Sequence, residues 1–289
     1  MTHRVLDLFA GIGGFSLGLE RTGGFSTSAF CEIDEKCRKV LRKHWQDVPI
    51  YEDVTELSIE RLEADGTVPT VITGGFPCQD ISLAGKGKGI IGERSGLWSE
   101  MFRLIRDVRP AWAIAENVSA LRSKGLALVL QNFSEIGYCA EWHCIPASAI
   151  GAPHQRDRIW IIARPNPDRG RLTEFGKPHG EPDQKGTPFG DNLGGLCADV
   201  ADTDQQRLEG WYSPIMQKCA SQLFAGQRGT RAGELSNHWQ TESGIQRVVD
   251  GVPGRVDRLK QIGNAVVPQI PQMIGSAILE AEKEQQHEQ

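Results

Sequence analysis

The sequence predicts an α/β fold with a doubly wound, mostly parallel sheet in residues 1–164. Three observations support this. Short apolar runs typical of buried strands alternate with segments of helical periodicity, a glycine cluster follows the first run directly, and the regular pattern ends after Arg164. Strands that alternate with helices build parallel sheets with right-handed crossovers. The chain of 289 residues has room for such a domain and a small second one.

Each predicted strand is a short apolar run bounded by turn residues. The strands are predicted at residues 4–9, 28–31, 70–73, 112–115 and 158–163. The helices are predicted between them, at 15–21, 35–44, 96–106 and 123–136. From Pro165 to about Gly254 the chain is rich in Gly, Pro, Asp and Gln, which predicts a second, small irregular domain at 165–257. An apolar helix that extends to about Ala281 then resumes the regular pattern.

The overall charge says little about the partner of this protein. The formal net charge is −5, which mildly disfavours nucleic acid because phosphate contacts favour a basic surface. Acidic residues are concentrated in the last ten positions, however, and basic residues cluster elsewhere, at Lys86, Lys88 and Arg94 and at Arg103, Arg106 and Arg109. The net charge therefore does not decide whether the partner is a nucleic acid.

Cysteine spacing and hydropathy indicate an ordinary intracellular protein. None of the seven cysteines forms a Cys-x-x-Cys pair, so we expect reduced thiols and no metal site. No apolar run approaches the roughly 18 residues that span a bilayer. Because the N-terminus leads directly into a predicted strand, we expect no signal peptide and a cytoplasmic location.

A glycine-rich turn follows the first strand, in the sequence DLFAGIGG at residues 7–14. Glycines there allow a ligand to approach the backbone, and the amides of the next helix point into the site. The spacing is not that of a dinucleotide fold. Glu32 follows the second strand, where a carboxylate can bind ribose hydroxyls, and Asp53 is placed to bind an adenine amino group. Together they indicate an adenosine-containing ligand; a turn that serves only packing is the alternative.

Cys78 lies in the segment GGFPCQDIS, directly after a predicted strand and next to Pro77. Open α/β sheets bind their ligands at this edge, and helix or turn amides there favour the reactive thiolate. The alternative is an inert buried cysteine. The glycine-rich stretch at 84–92 is either a disordered surface loop or a lid over substrate.

Glu116 and a run of basic residues complete the predicted site. Glu116 ends a strand in the sequence Glu-Asn-Val, and burial there would raise its pKa and let it donate a proton to a ring nitrogen. His154, Arg156 and Arg158 alternate with period two, which predicts one face of a strand. A salt-bridged surface strand is the alternative.

With these motifs in this order, and with IGNAVVP near the end, the chain resembles the DNA cytosine-5 methyltransferase family of bacterial and phage type. The resemblance implies the fold of S-adenosylmethionine (AdoMet)-dependent methyltransferases. It implies a catalytic domain formed by residues 1–164 plus 258–289, and a target-recognition domain at 165–257. The implied reaction is methyl transfer from AdoMet to carbon 5 of a cytosine flipped out of double-stranded DNA, with S-adenosylhomocysteine as product.

The resemblance also implies a role for each site residue. Cys78 is expected to attack carbon 6 of cytosine, Glu116 to bond the ring edge, and Arg158, with Arg156 beside it, to hold the pyrimidine oxygen. The residues expected to bind the cofactor are Phe9, Ala10, Gly11, Gly13, Gly14, Glu32, Ile33, Asp53, Val54, Pro77 and Asn264.

Two features depart from the family pattern. His154 stands where the family often has glutamine, and the segment between the arginine strand and Gly263 is short for a target-recognition domain, which indicates a short target. The expected partners are double-stranded DNA and, as a candidate, a cognate restriction endonuclease. We expect a monomer without a membrane partner, associated with the nucleoid of a bacterial or phage-infected cell.

Three alternatives remain at this point. A tRNA cytosine-5 methyltransferase of the same superfamily shares the chemistry, and a catalytically silent nucleic-acid-binding relative shares the fold. A nicotinamide-dependent dehydrogenase is disfavoured by the glycine spacing.

Overall fold

A computed structural model describes residues 2–77, 96–152, 156–166 and 265–287 of the chain. Seven strands lie in these ranges: β1 (His3–Leu8), β2 (Phe25–Cys31), β3 (Ile50–Tyr51), β4 (Val71–Gly75), β5 (Trp112–Val118), β6 (Tyr138–Pro146) and β7 (Asp157–Pro165). The helices are α1 (Gly14–Glu20), α2 (Glu35–His44), α3 (Ile59–Ala64), α4 (Leu97–Val108), α5 (Leu121–Lys124), α6 (Leu126–Glu135) and α7 (Gln269–His287). A short 3₁₀ helix at Ala147–Ile150 follows β6.

All seven strands form one sheet in the order β3-β2-β1-β4-β5-β7-β6. The first five are parallel, whereas β7 pairs antiparallel with both β5 and β6. The order reverses direction between β1 and β4, so ligands are expected at the carboxyl ends of these strands. The predicted doubly wound, mostly parallel sheet is confirmed.

Helices cover both faces of the sheet. On one face α4 and α6 pack against a buried cluster that includes Leu6 and Ile72. On the other, α1 and α7 enclose a cluster that contains Phe15, Trp160 and Ile274. Since α7 packs directly on α1, the C-terminal helix belongs to the same unit as the first strand.

Helix α2 shows how local sequence sets an element boundary. Asp34 is its N-cap, and its side chain accepts hydrogen bonds from the Lys36 and Cys37 amides. Three basic residues occupy the last turn, where the negative end of the helix dipole favours them. The helix therefore begins just after the carboxyl end of β2 and runs away from that edge.

All five predicted strands exist, but β3 and β6 were not predicted. The predicted strand at 158–163 begins earlier, at Asp157, and the predicted helix at 123–136 is divided into α5 and α6 at Gly125. The short helix α3 was also missed. The predicted domain at 165–257 lies almost entirely outside the described residues.

Within the described ranges, no helix is long and apolar enough to cross a membrane.

Candidate active site

The turn after β1 has a backbone that few side chains tolerate. Phe9 has φ 52°, although it is not glycine, and Gly11 and Gly13 have φ 57° and 87°. Left-handed backbone costs a residue such as phenylalanine about 1–3 kcal/mol, and such residues cluster at functional sites. A side chain on Gly14 would lie 2.4 Å from the Val266 carbonyl oxygen, so glycine is required there for packing. The turn is thus a strained feature held by its surroundings.

Glu32 follows β2 and faces this turn. Its Oε2 accepts from the Gly11 amide over 2.7 Å, and its Oε1 accepts from the Asp34 amide over 2.8 Å. A carboxylate has about four acceptor sites, so two backbone contacts leave capacity for the two hydroxyls of a ribose. Ile33 is 74 % exposed, an unusual position for a large apolar side chain beside a buried strand. The predicted ribose contact and an apolar surface are therefore adjacent.

Asp53 follows β3 on the neighbouring strand end. Its Oδ1 accepts from the amide and the hydroxyl of Thr55, each over 2.8 Å, and these bonds lower the pKa of the carboxyl, which is ionised at neutral pH. Burial raises the pKa of Cys31 to about 12, and the charges of Glu32 and Asp53 add to this effect. Both carboxylates thus lie near the end of β2.

The other predicted cofactor residues differ in their position. Ala10 is buried, and its amide donates to the Cys31 carbonyl. The Val54 side chain is only 5 % exposed and packs in the core, so it faces away from solvent. Pro77 is exposed after β4. Asn264 lies outside the described residues.

The buried carboxyl group of Asp7, which had no role predicted from the sequence, supports the glycine turn. Asp7 in β1 is fully buried and accepts from the Ser16 hydroxyl over 2.9 Å, the Ser16 amide over 3.3 Å and the Thr73 hydroxyl over 3.0 Å. Burial raises its pKa to about 7, against the effect of these bonds. Asp7 therefore fastens β1 to α1 and β4. An acid inside an apolar strand was the available signal.

Glu116 and Arg158 form an ion pair on adjacent strands. The Arg158 Nε atom lies 2.8 Å from Glu116 Oε1, and the glutamate side chain is 13 % exposed. Burial raises the pKa of Glu116 to about 7, although the charges of Arg158 and Arg156 oppose the shift. The carboxyl group is therefore partly protonated near neutral pH, as a proton donor requires.

The end of β4 is attached directly to this pair. Gly75 is opposite Glu116 in the β4–β5 register, and the buried Asn117 side chain donates to the Phe76 carbonyl over 2.8 Å. The chain that leads into Pro77 and Cys78 is thus fixed against β5. Asn117 was not singled out from the sequence, although it stands in the Glu-Asn-Val motif. Cys78 and the glycine-rich stretch at 84–92 lie outside the described residues.

Arg156 departs from the predicted strand geometry. Strand β7 begins at Asp157, and Arg156 has φ 36°, so the expectation that its side chain continues the alternation of a strand is wrong. The positive φ breaks the extended conformation just before the strand. Its Nη2 donates to the Ala265 carbonyl over 2.7 Å. His154 lies outside the described residues.

The sheet order, with its antiparallel β7, and the strained turn after β1, whose Gly11 amide donates to Glu32, define the class of AdoMet-dependent methyltransferase folds. The chain belongs to the family described as C-5 cytosine-specific DNA methylase, whose profile matches residues 3–213. The family predicted from the sequence motifs is confirmed.

Individual relatives agree with this family. The chain is 36 % identical over 193 residues to the Type II methyltransferase M2.BsuMI of Bacillus subtilis (strain 168), a match that covers 64 % of this chain and 48 % of that protein. It is 38 % identical over 165 residues to M.CviJI of Paramecium bursaria Chlorella virus IL3A, covering 56 % of this chain and 43 % of the relative. The chain thus spans about half the length of these curated relatives.

Among solved structures, the crystal structure of a Spodoptera frugiperda DNMT2 mutant superposes with a TM-score of 0.49 at 19 % identity, covering 57 % of this chain and 51 % of that one.

Proposed function

We propose that this protein transfers the methyl group of AdoMet to carbon 5 of cytosine in double-stranded DNA. The observation that carries the proposal is the half-buried Glu116–Arg158 pair at the carboxyl end of β5, beside the strand end that leads into Cys78. Family membership supports DNA over tRNA as the substrate, because the family and the matched curated relatives are described as DNA or Type II methylases.

The pair suits activation of a pyrimidine ring. Protonated Glu116 donates to ring nitrogen 3, which withdraws electrons from carbon 6. The Arg158 guanidinium has five N–H donors, of which one faces Glu116 and another donates to the Asp157 carbonyl. The remaining donors are proposed to bind the pyrimidine oxygen, in which case one arginine orients both the glutamate and the base.

Cys78 then completes the reaction. Its thiolate attacks carbon 6, and the electron pair displaced from the ring double bond makes carbon 5 nucleophilic. AdoMet, held by the turn after β1 and by Glu32 and Asp53, would supply an electrophilic methyl group to that carbon and would leave as S-adenosylhomocysteine. Loss of the carbon 5 proton to a water molecule re-forms the ring double bond and expels the Cys78 thiolate, and ring nitrogen 3 returns its proton to Glu116. The cytosine must leave the base stack for this chemistry.

The cofactor proposal is supported by the turn and its two carboxylates. Glu32 is proposed to bind the ribose hydroxyls and Asp53 the adenine amino group, with the exposed Ile33 against the adenine face. The strained turn from Phe9 to Gly14 is proposed to hold the methionine portion through its backbone. These residues fit a nucleoside with a diol and an amino group.

The proposed domain division keeps residues 1–164 and 258–289 as the catalytic domain. Packing of α7 on α1 supports the second part of this division. We propose that residues 165–257 read the DNA sequence, and that a cognate restriction endonuclease is the functional partner, as the Type II names of the relatives suggest for those proteins.

The test is methyl transfer from tritiated AdoMet to duplex DNA and to tRNA in parallel. Label in DNA that is lost in Cys78→Ala and kept in Cys139→Ala supports the proposal; Cys139 is a half-buried cysteine on β6 and serves as the matched control. Label in tRNA alone would contradict the choice of substrate. DNA binding without label in either nucleic acid would favour a silent relative.

A further inference from the structure

The segment that precedes α7 is held between two parts of the site. On one side, the Val266 carbonyl oxygen lies over Gly14, where an added Cβ would be 2.4 Å away, and the Pro268 carbonyl lies over Gly18 in the same way, at 2.1 Å. Val266 and Val267 also pack against the buried cluster of Phe15. The segment therefore rests directly on the helix that begins in the glycine turn.

On its other side the segment is tied to the arginine strand. The Arg156 Nη2 atom donates to the Ala265 carbonyl over 2.7 Å, a contact between residues 109 positions apart. Arg156 stands two residues before Arg158, which contacts Glu116. The left-handed backbone of Arg156, with φ 36°, persists only where the surrounding structure holds it. One guanidinium thus joins the Glu116 side of the site to the glycine-turn side.

We propose that Arg156 is a positioning residue that couples the cofactor pocket to the cytosine pocket. By holding the Ala265 carbonyl, it keeps Val266 against Gly14 while its backbone fixes the start of β7 beside Arg158. Filling one pocket then favours the geometry that the other needs, and such coupling is reciprocal. This inference rests on the proposed function and assigns to Arg156 a task that differs from direct contact with the base.

The experiment measures S-adenosylhomocysteine binding by calorimetry, with and without a cytosine-containing duplex. In the wild type we expect the duplex to strengthen binding of S-adenosylhomocysteine. In Arg156→Gln we expect about tenfold weaker binding of this ligand and loss of the duplex effect, because a hydrogen bond from a charged group is removed. The loss in kcat/KM for AdoMet is expected to exceed the loss in kcat at saturating AdoMet, since Arg158 still contacts Glu116.

Two variants control this result. Arg156→Lys keeps one charged donor for a single carbonyl acceptor, so it is expected to restore binding and coupling; a bidentate contact with substrate would not be restored in this way. Arg164→Gln makes the same change at the far end of β7, where the guanidinium lies over the Trp112 ring, and is expected to leave both quantities unchanged.

A further variant probes the same segment without Arg156. Gly18→Ala places a methyl group against the Pro268 carbonyl and is expected to weaken S-adenosylhomocysteine binding. In the double variant with Arg156→Gln, the loss of S-adenosylhomocysteine affinity is expected to be smaller than the product of the two single losses. Thermal unfolding of each variant shows whether it is folded. If Arg156→Gln does not fold, Gly18→Ala carries the test: unaltered binding and duplex effect there would overturn the inference.

When Arg156→Gln folds, three results would overturn the inference while leaving the proposed function intact. They are a fall in kcat with unchanged S-adenosylhomocysteine binding, no effect of Arg156→Gln at all, and an Arg156→Lys variant as defective as Arg156→Gln. A wild type that neither binds S-adenosylhomocysteine nor methylates DNA would instead overturn the proposed function and this inference with it.

Discussion

Arg158 on β7 pairs diagonally with Glu116 on the adjacent strand β5, with its Nε atom 2.8 Å from Glu116 Oε1. In the β5–β7 register the residue opposite Glu116 is Trp160, and the residue opposite Arg158 is Val118. The carbonyl of Asp157 holds the same guanidinium from its own strand. The antiparallel β7 therefore supplies a cation to a carboxyl that burial would otherwise keep neutral, and the pKa of about 7 reflects this balance.

Glu116→Gln is expected to lower kcat by about 10²–10⁴-fold, because glutamine keeps the shape of the side chain but has no acidic proton to give. S-adenosylhomocysteine binding is expected to stay normal. Steady-state methylation and calorimetry measure the two quantities. Glu141→Gln, an exposed glutamate on β6, is the matched control. Full turnover in Glu116→Gln would remove this residue from the mechanism.

The pH dependence of turnover follows from the raised pKa of Glu116. Burial raises that pKa to about 7, so the proton-donating form is present below pH 7 and is lost as the pH rises through this value. A rate profile under saturating substrates is expected to fall on its alkaline side near pH 7. Arg158→Gln removes the nearest opposing charge and should move this limb to higher pH. An alkaline limb that stays in place would show that another group causes it.

Asp7 predicts a pH dependence of stability. Its folded pKa, about 7, is above the unfolded value near 3.8. The unfolded state therefore loses its proton first, and the contribution to the free energy of unfolding is present below pH 4 and declines as the pH rises to 7. The shift corresponds to at most about 4 kcal/mol.

The measurement for Asp7 is urea unfolding of wild type and Asp7→Asn at pH 5 and pH 8. Asparagine can still accept from Ser16, and its amide can donate to the Thr73 hydroxyl, so we expect the variant to gain stability relative to wild type as the pH rises. Asp53→Asn should show almost no change between these two pH values, because the pKa of Asp53 is lowered in the fold and its carboxyl is ionised in the folded and the unfolded state throughout this range. Parallel curves for wild type and Asp7→Asn would contradict this account.

Glu32→Gln is expected to weaken AdoMet binding by about tenfold, since an uncharged amide oxygen is a poorer acceptor for the ribose hydroxyls. Isothermal calorimetry with S-adenosylhomocysteine measures the effect. Glu52→Gln is the control: Glu52 is exposed next to Asp53 and pairs with Arg38. Equal losses in both variants would point to general electrostatics instead of a ribose contact.

Asn117→Ala is expected to lower kcat by about 10–100-fold while the cofactor affinity is kept. The substitution removes the donor that holds the Phe76 carbonyl and so loosens the end of β4 against Glu116. A buried hydrogen bond is lost, and thermal unfolding measures that cost separately. An unchanged kcat in folded protein would mean that the β4 end is fixed by other contacts.

Sequence patterns predicted the parts of the fold that depend on continuous apolar runs. Most of β1, β4 and β5 is buried on both faces, and the buried stretches of these strands are mainly apolar. β6 was missed because it is an edge strand with the mixed run Cys-Ala-Glu-Trp-His, and β3 because it is only two residues long.

The positions of Glu32 and Glu116 near strand ends could be predicted, because each stands directly after or within an apolar run, and their roles stay predictions. The contacts of Arg156 with Ala265 and of Asn117 with Phe76 could not be predicted, because they join backbone carbonyls to side chains distant in the sequence. A backbone carbonyl leaves no signature in the residue type. The left-handed backbone at Arg156 likewise had no signal in an apparently alternating run.

The most direct test of the account uses a duplex that contains 5-fluorocytosine, incubated with the protein and AdoMet. Fluorine at carbon 5 cannot leave as a proton does, so the protein is expected to remain bonded to the DNA through Cys78 in denaturing conditions. Peptide mass spectrometry should find the adduct on Cys78, and Cys78→Ala should form none. A wild-type protein that methylates ordinary DNA but leaves no denaturant-resistant adduct, or an adduct on another residue, would contradict the central claim.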